Sequence, residues 1–271
     1  MLGSLLQAVR QTHPLIHCIT NYVTINDCAN ILLAAGASPI MADAVEEAAA
    51  VTARSQGLTL NLGTLHAERI PAMLASGRQA NASGIPAVLD PVGAGVSAFR
   101  AGAARQLLEA VQFAVIRGNL SEIRALADAG SHACGVDAGD SLTPQTLDAC
   151  LELAGQLARR TGAVVAVTGE TDLVTDGETA YCIHNGHPMM RSVTGTGCQL
   201  SCLTAAFVAA SPGQPLQAAA AAVCAMGLCG ETAYARLSPA DGNAAYRDKI
   251  LDAVYRLTPA QLEKGARYEL R

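Results

Sequence analysis

The sequence predicts an α/β protein in which a mostly parallel sheet is covered on both faces by helices, folded as a single domain over residues 1–271. Three observations predict it. Short apolar runs alternate with longer Ala-rich segments, the pattern of strands joined by helical crossovers. The runs are apolar throughout, as strands buried on both faces must be. The chain of 271 residues is 51% hydrophobic, enough for a large core; at about 150 residues per domain, one large domain is the simpler count.

The strand candidates are 15–19 (LIHCI), 58–62 (LTLNL), 87–90 (AVLD), 113–116 (FAVI) and 163–167 (AVVAV), each closed by polar or glycine residues. Helices are expected over 26–35, 45–55, 101–111, 144–160, 199–210 and 216–237. Within the last of these, 218–229 (AAAAAVCAMGLC) is about two-thirds of a bilayer-spanning length and mostly small residues, so it reads as a buried, closely packed helix. Over 171–183 an Asp-Gly pair stands between two short β-prone runs, which predicts a hairpin on an otherwise parallel sheet. The polar tail after Pro259 is expected to be a loose end.

Charge and cysteine usage narrow the function. Charged residues make 15% of the chain and the net charge is −5, against roughly 25% charged in ordinary soluble proteins. Part of the surface is therefore expected to be covered by another copy of the chain. An acidic balance with no Trp and three Phe argues against nucleic-acid binding. Nine cysteines, Cys134 among them, form no CxxC pair and read as neither a disulfide framework nor a zinc site. Gln7, Arg10 and Gln11 interrupt any secretory apolar stretch, so a reducing cytoplasm is expected, with no membrane partner.

Open α/β sheets bind ligands beyond the carboxyl ends of their strands. Asn21, Asp90, Arg117-Gly118-Asn119 and Thr168-Gly169 close four of the runs and describe a cleft. In VTGTGCQLS (193–201) two glycines lead into a helix, so the amides of Gly195, Thr196, Gly197 and Cys198 converge where an anion is favoured. A tight turn at a helix start accounts for the same string. Cys198, at that helix start, is expected to favour its thiolate beside a reacting hydroxyl. In DPVGAG (90–95) Asp90 is placed to hold magnesium, or else to cap a turn. In RGNLSEI (117–123) Arg117 suits phosphate charge, while Asn119 and Glu122 suit a water-mediated metal or a capping box. GAGVSA matches the dinucleotide fingerprint poorly, and there is no GxxxxGK[ST]. The histidines, His17, His184 and His187 included, have no partner at metal-ligand spacing and read as structural.

The blocks PLIHCITNYVTINDCANILLAAGASPIMADA, LNLGTL, VLDPVGAG, IRGNLSEI, VTGE and NGHPMMRSVTGTGC resemble the hydroxyethylthiazole kinase family of the ribokinase-like superfamily, over roughly residues 12 to 236. The resemblance implies a three-layer ribokinase-like sandwich, a homotrimer with sites at subunit boundaries, and ATP-dependent, Mg2+-requiring phosphorylation of 5-(2-hydroxyethyl)-4-methylthiazole in thiamine biosynthesis or salvage. It places Met41 in the thiazole pocket, Gly195 at the substrate end of the anion hole, Arg117 and Thr168 on ATP, and Asp90 and Glu122 at the magnesium-water positions; Asn21 is a further substrate candidate. Related sugar and pyrimidine kinases carry GxGD, with the Asp as general base. Here that position is Cys198, itself typical of the thiazole kinases.

Overall fold

The computed structural model describes residues 1–128 and 146–271; Cys134 and the first residues of the helix expected over 144–160 lie outside them. In chain order come α1 (Leu2–Thr12), β1 (Leu15–Ile19), α2 (Ile25–Ala35), β2 (Ser38–Ile40), α3 (Ala48–Thr52), β3 (Gly57–Asn61), α4 (Arg69–Ala82), β4 (Ala87–Asp90), α5 (Ala98–Ala110), β5 (Val115–Asn119) and α6 (Leu120–Asp128). Then follow α7 (Leu147–Thr161), β6 (Val164–Thr168), β7 (Asp172–Thr175), β8 (Ala180–Ile183), a 3-10 turn (Pro188–Ser192), α8 (Thr196–Ala210), α9 (Pro215–Tyr234), α10 (Asn243–Arg256), α11 (Pro259–Gly265) and β9 (Tyr268–Leu270).

One sheet runs β2-β1-β3-β4-β5-β6-β7-β8-β9. It is parallel from β2 through β6 and antiparallel from β7 onward. Strand periodicity separates two cores. Ile16, Val88, Val115, Val164 and Ala166 face the layer of α1, α2, α8, α9 and α10. Their neighbours Leu89, Ile116, Val165 and Val167 face the layer of α4 to α7. Three layers result, as the sequence predicts.

The Asp-Gly hairpin forms as expected: Asp176 Oδ1 accepts from the amides of Glu178 (3.0 Å) and Thr179 (2.8 Å), and Gly177 takes φ 96° between β7 and β8. The tail after Pro259 corrects the expectation of a loose end. Thr258 and Gln261 make a capping box that starts α11, and β9 pairs with β8 through Ile183↔Tyr268 and Tyr181↔Leu270. Four residues from Thr258 to Gln261 carried that signal in the sequence. The helix expected over 45–55 shrinks to five residues, whereas α1, α4 and α10 form where none was assigned. In α4 the buried face consists largely of Ala72, Ser76, Gly77 and Ala80, small residues that leave little apolar periodicity to read. Gly77 is fixed by closeness, since a Cβ there would stand 2.3 Å from Val111 Cγ2.

The Ala-rich α9 is, at 20 residues, long and apolar enough by composition to cross a bilayer, yet 78% of its apolar window is buried against neighbouring elements. It is a core helix here, as its small residues imply.

Candidate active site

The parallel strands all deliver their polar ends to one edge of the sheet, where the start of α8 meets them. Asn61 closes β3 beside Asp90, its register partner on β4. Asp90 is fully buried; its Oδ2 accepts from Asn61 Nδ2 (2.7 Å) and Ser201 Oγ (2.8 Å), and Arg117 Nη1 approaches to 3.7 Å. Its Oδ1 is buried without a partner. Burial pushes the Asp90 carboxyl up to about 6, with the Arg117 guanidinium opposing that rise.

From Asp90 the network runs to the thiol. Asn61 Nδ2 donates to Cys198 Sγ at 3.3 Å and Asn21 Nδ2 donates to it at 3.0 Å. Asn21 Oδ1 in turn accepts from Thr24 N (3.1 Å) and Thr24 Oγ1 (3.0 Å). Burial, and then the nearby Asp90 charge, push the Cys198 thiol up to about 11. This corrects the expected thiolate. A helix start favours negative charge, but here desolvation and a neighbouring carboxylate outweigh it, so Cys198 is a neutral thiol at pH 7.

The glycine string is set by close approach. Gly195 is the N-cap of α8 with φ 84°, and a Cβ there would lie 2.2 Å from Thr24 Cγ2. At Gly197 a Cβ would lie 2.5 Å from Arg117 Nη1. The string therefore lets Thr24 and Arg117 pack against the first turn of α8, whose leading amides have no intrahelical acceptor. Arg117 Nη2 also donates to Thr168 Oγ1 at 2.6 Å.

Glu122 forms the capping box in full: its Oε2 accepts from Asn119 N (2.8 Å) while Asn119 Oδ1 accepts from Glu122 N (2.9 Å). Its Oε1 accepts from Gly93 N (2.9 Å), which ties the DPVGAG loop to α6. Beside these residues opens a cleft of about 520 Å³. Arg117, Thr168, Asp172, Arg191 and Gly197 give it a polar end, and Val223 and Met226 an apolar one. Burial pushes Asp172 up to about 7. A cavity of about 560 Å³ between α5 and α7 lies away from the strand ends and holds none of the network.

The structure thus brings Asn21, Asp90, Arg117, Thr168, Gly195, Thr196, Gly197 and Cys198 together. Glu122 joins them through the DPVGAG loop. Met41 stands outside the hydrogen-bonded network, half-buried just after the edge strand β2. Sequence reasoning missed Asn61, Ser201 and Thr24. Asn61 was legible as the polar end of a buried strand, and Ser201 as the residue three positions on from Cys198, on the same helical face. His187, read as structural, stacks on Tyr234 and lines the cleft. His17 is structural as expected, with its ring nitrogens bonded to Thr52 Oγ1 (2.8 Å) and Ala42 O (2.7 Å).

A ribokinase-like sandwich with a glycine-rich helix start beside a buried carboxylate, a cation and a nucleotide-sized cleft has the features of a small-molecule phosphotransferase. The comparisons narrow the class. The chain matches the hydroxyethylthiazole kinase family over residues 6–260. It is 51% identical over 271 residues to a hydroxyethylthiazole kinase of Clostridium acetobutylicum, covering 99% of each. A namesake from Methanoculleus marisnigri is 47% identical over 269 residues, covering 99% of this chain and 93% of that one. The solved hydroxyethylthiazole kinase of Pyrococcus horikoshii superposes with a TM-score of 0.89 at 34% identity, covering 100% of this chain and 98% of that one. A Bacillus subtilis pyridoxal kinase in an ADP complex shares the fold at 16% identity, TM-score 0.57, covering 84% of this chain and 94% of that one. The chain belongs to the hydroxyethylthiazole kinase family, whose reaction is the ATP-dependent phosphorylation of hydroxyethylthiazole in thiamine salvage.

Proposed function

We propose that this chain phosphorylates the hydroxyl of 5-(2-hydroxyethyl)-4-methylthiazole across the network that joins Asn21 to Arg117. The observation that carries the reading is the unbroken series Asn21–Cys198–Asn61–Asp90, which links a substrate end to a phosphate end within hydrogen-bonding distance. The thiazole lies between Met41 and Cys198, with Asn21 holding the thiol. ATP occupies the cleft, with Arg117 and Thr168 on its phosphates and the amides of Gly195, Thr196 and Gly197 receiving the transferred group.

Asp90 and Glu122 suit Mg2+. Asp90 keeps a buried oxygen with no partner, and Glu122 retains lone pairs beyond its two amide bonds, fit for contact through water. Among the described residues no group of three or more His, Cys, Asp or Glu could cage a metal. A few carboxylates completed by water and phosphate oxygens is the arrangement Mg2+ favours. Bound there, Mg2+ supplies neutralisation of phosphate charge.

The protein's own residues then do three things. Arg117 offsets charge at the transferred phosphate, the α8 amides hold it in line, and Cys198 orients the hydroxyl. A neutral thiol is a weak base, but a loose phosphoryl-transfer transition state demands little early proton removal. Turnover is accordingly modest.

The proposed assembly is a homotrimer with sites at subunit boundaries. Tyr22, Val23, Leu33 and Val45 are all exposed, on the segments that follow β1 and β2 and on α2 between them. Large apolar side chains exposed on these segments suit a shared interface. The chain is proposed to act in the cytoplasm, consistent with eight free cysteines among the described residues. Purified protein with ATP, Mg2+ and a panel of alcohols tests the function: the thiazole alcohol should be consumed, and equal turnover of ribose or pyridoxal would overturn the assignment. Mass measurement of a fully active monomer would overturn the trimer.

A further inference from the structure

A third cavity, of about 340 Å³, opens on the outside of the helix layer and shares no lining residue with the nucleotide cleft. Its floor is apolar, from Leu228 and Cys229 of α9 and from Ala253 and Leu257 around the end of α10. Its rim carries three cations, Arg236, Arg256 and Lys264, and no carboxylate lines it. All three side chains are exposed, and none has an ion pair or hydrogen bond among the described residues. In a chain with 18 basic against 23 acidic residues, this local excess is not a sample of the general surface.

Helix ends account for cations in a simpler way, because Arg236 follows the C-cap of α9 and Arg256 and Lys264 lie in the last turns of α10 and α11. At two of the three ends, other side chains already take up backbone carbonyls. Arg10 Nη2 donates to the carbonyls of Val254 (3.2 Å) and Tyr255 (3.1 Å) at the end of α10. The Gly265 carbonyl at the end of α11 accepts from Asn185 Nδ2 at 3.0 Å. The three rim cations make no side-chain hydrogen bond or ion pair among the described residues and line a cavity with an apolar floor.

We propose that this pocket binds a phosphorylated small molecule whose other end is an apolar ring. Three unpaired cations match a phosphate dianion, and the Leu228, Ala253 and Leu257 floor matches a ring. The volume lies at the small end of ligand pockets, which run from about 300 to 1,000 Å³, so it suits one ring and a phosphate and not a whole nucleotide.

The test uses the full-length protein with its active site filled by a non-hydrolysable ATP analogue, Mg2+ and hydroxyethylthiazole. Phenyl phosphate is then titrated calorimetrically. One further saturable site per chain is expected, with inorganic phosphate binding more weakly and benzyl alcohol not at all. Arg236→Gln with Arg256→Gln should weaken phenyl phosphate by about tenfold or more, as loss of charge-assisted bonds implies. Lys264→Gln alone should weaken it less, and kcat for the thiazole should stay unchanged in both variants, which also shows that they fold. Unchanged affinity in the double variant, or no saturable phenyl phosphate binding, would overturn the site. Inorganic phosphate binding as tightly as phenyl phosphate would overturn the ring.

Discussion

Replacing Asp90 by Asn should make the protein more stable and less active, and the pH dependence should show why. Asp90 is fully buried, and its carboxyl is pushed from an ordinary 3.8 to about 6. At 1.36 kcal/mol per pKa unit, keeping it ionised at neutral pH costs roughly 3 kcal/mol. The folded state holds the proton more tightly than the unfolded one, so this group destabilises the fold progressively as pH rises from about 4 to about 6. Asparagine preserves an oxygen to accept from Asn61 and Ser201 and turns its NH2 toward the side where Asp90 Oδ1 now has no partner. It forfeits the attraction to Arg117 at 3.7 Å, which reduces the gain. Urea unfolding at pH 7.5 should find Asp90→Asn about 1–3 kcal/mol more stable than wild type, and the gap should close toward pH 4. Its kcat should fall by about 100-fold or more, with KM for the thiazole little changed. A variant less stable than wild type at pH 7.5, or a gap independent of pH, would refute the reasoning.

Glu122→Gln should lower kcat more than it raises KM for the thiazole and should shift the magnesium requirement upward, since the NH2 replaces an oxygen that accepts a backbone amide; an unaltered magnesium titration would leave Glu122 as a cap alone. Gly197→Ala should raise KM for ATP by about tenfold, because its Cβ displaces Arg117 from Thr168; steady-state kinetics at varied ATP checks it. For Cys198, whose thiol lies at about 11, kcat should be nearly flat between pH 7 and 9 if the thiol only orients the hydroxyl, whereas a tenfold rise per pH unit would make the thiolate the base. Cys198→Ala should retain measurable turnover; if position 198 needs only a hydrogen-bond acceptor, Cys198→Asp should match or exceed wild type despite the Asp90 charge, and identical pH profiles for all three would show that this side chain takes no proton.

What the sequence made legible follows the physics of each signal. Buried parallel strands are continuous apolar runs, so 15–19, 87–90 and 163–167 sit within a residue of the observed strands. Short edge strands with three pairs each, β2 and β9, carry no such run. The helix α4 hides behind small residues. At the site, glycine strings and polar strand ends located Asp90, Arg117, Thr168 and Cys198, because those features are local in sequence. Asn61 was missed because its importance lies in reaching both Asp90 and Cys198, 29 and 137 positions away. For Cys198 the helix start that favours a thiolate is visible in sequence, but the neighbouring carboxylate and the burial that keep the thiol neutral are not.

The two ends of the network therefore divide the work by charge. At the proposed phosphate end, a buried carboxylate is tolerated because Arg117, Asn61 and Ser201 face it, and its negative charge is what a cation held on phosphate would need. At the substrate end, a second anion at position 198 would share Asn61 with Asp90 and meet its field, with Asn21 and Thr24 as the further donors beside it among the described residues. A thiol avoids that repulsion, since it accepts the same two amide hydrogens while remaining uncharged. The proposed site would therefore bind an apolar alcohol against a neutral sulfur and keep its charge for the phosphoryl group. On the proposed reading, catalytic strength resides in positioning and in the phosphate-end charges, and the acceptor hydroxyl should give up its proton late, which a kcat independent of the position-198 side chain's ionisation would bear out.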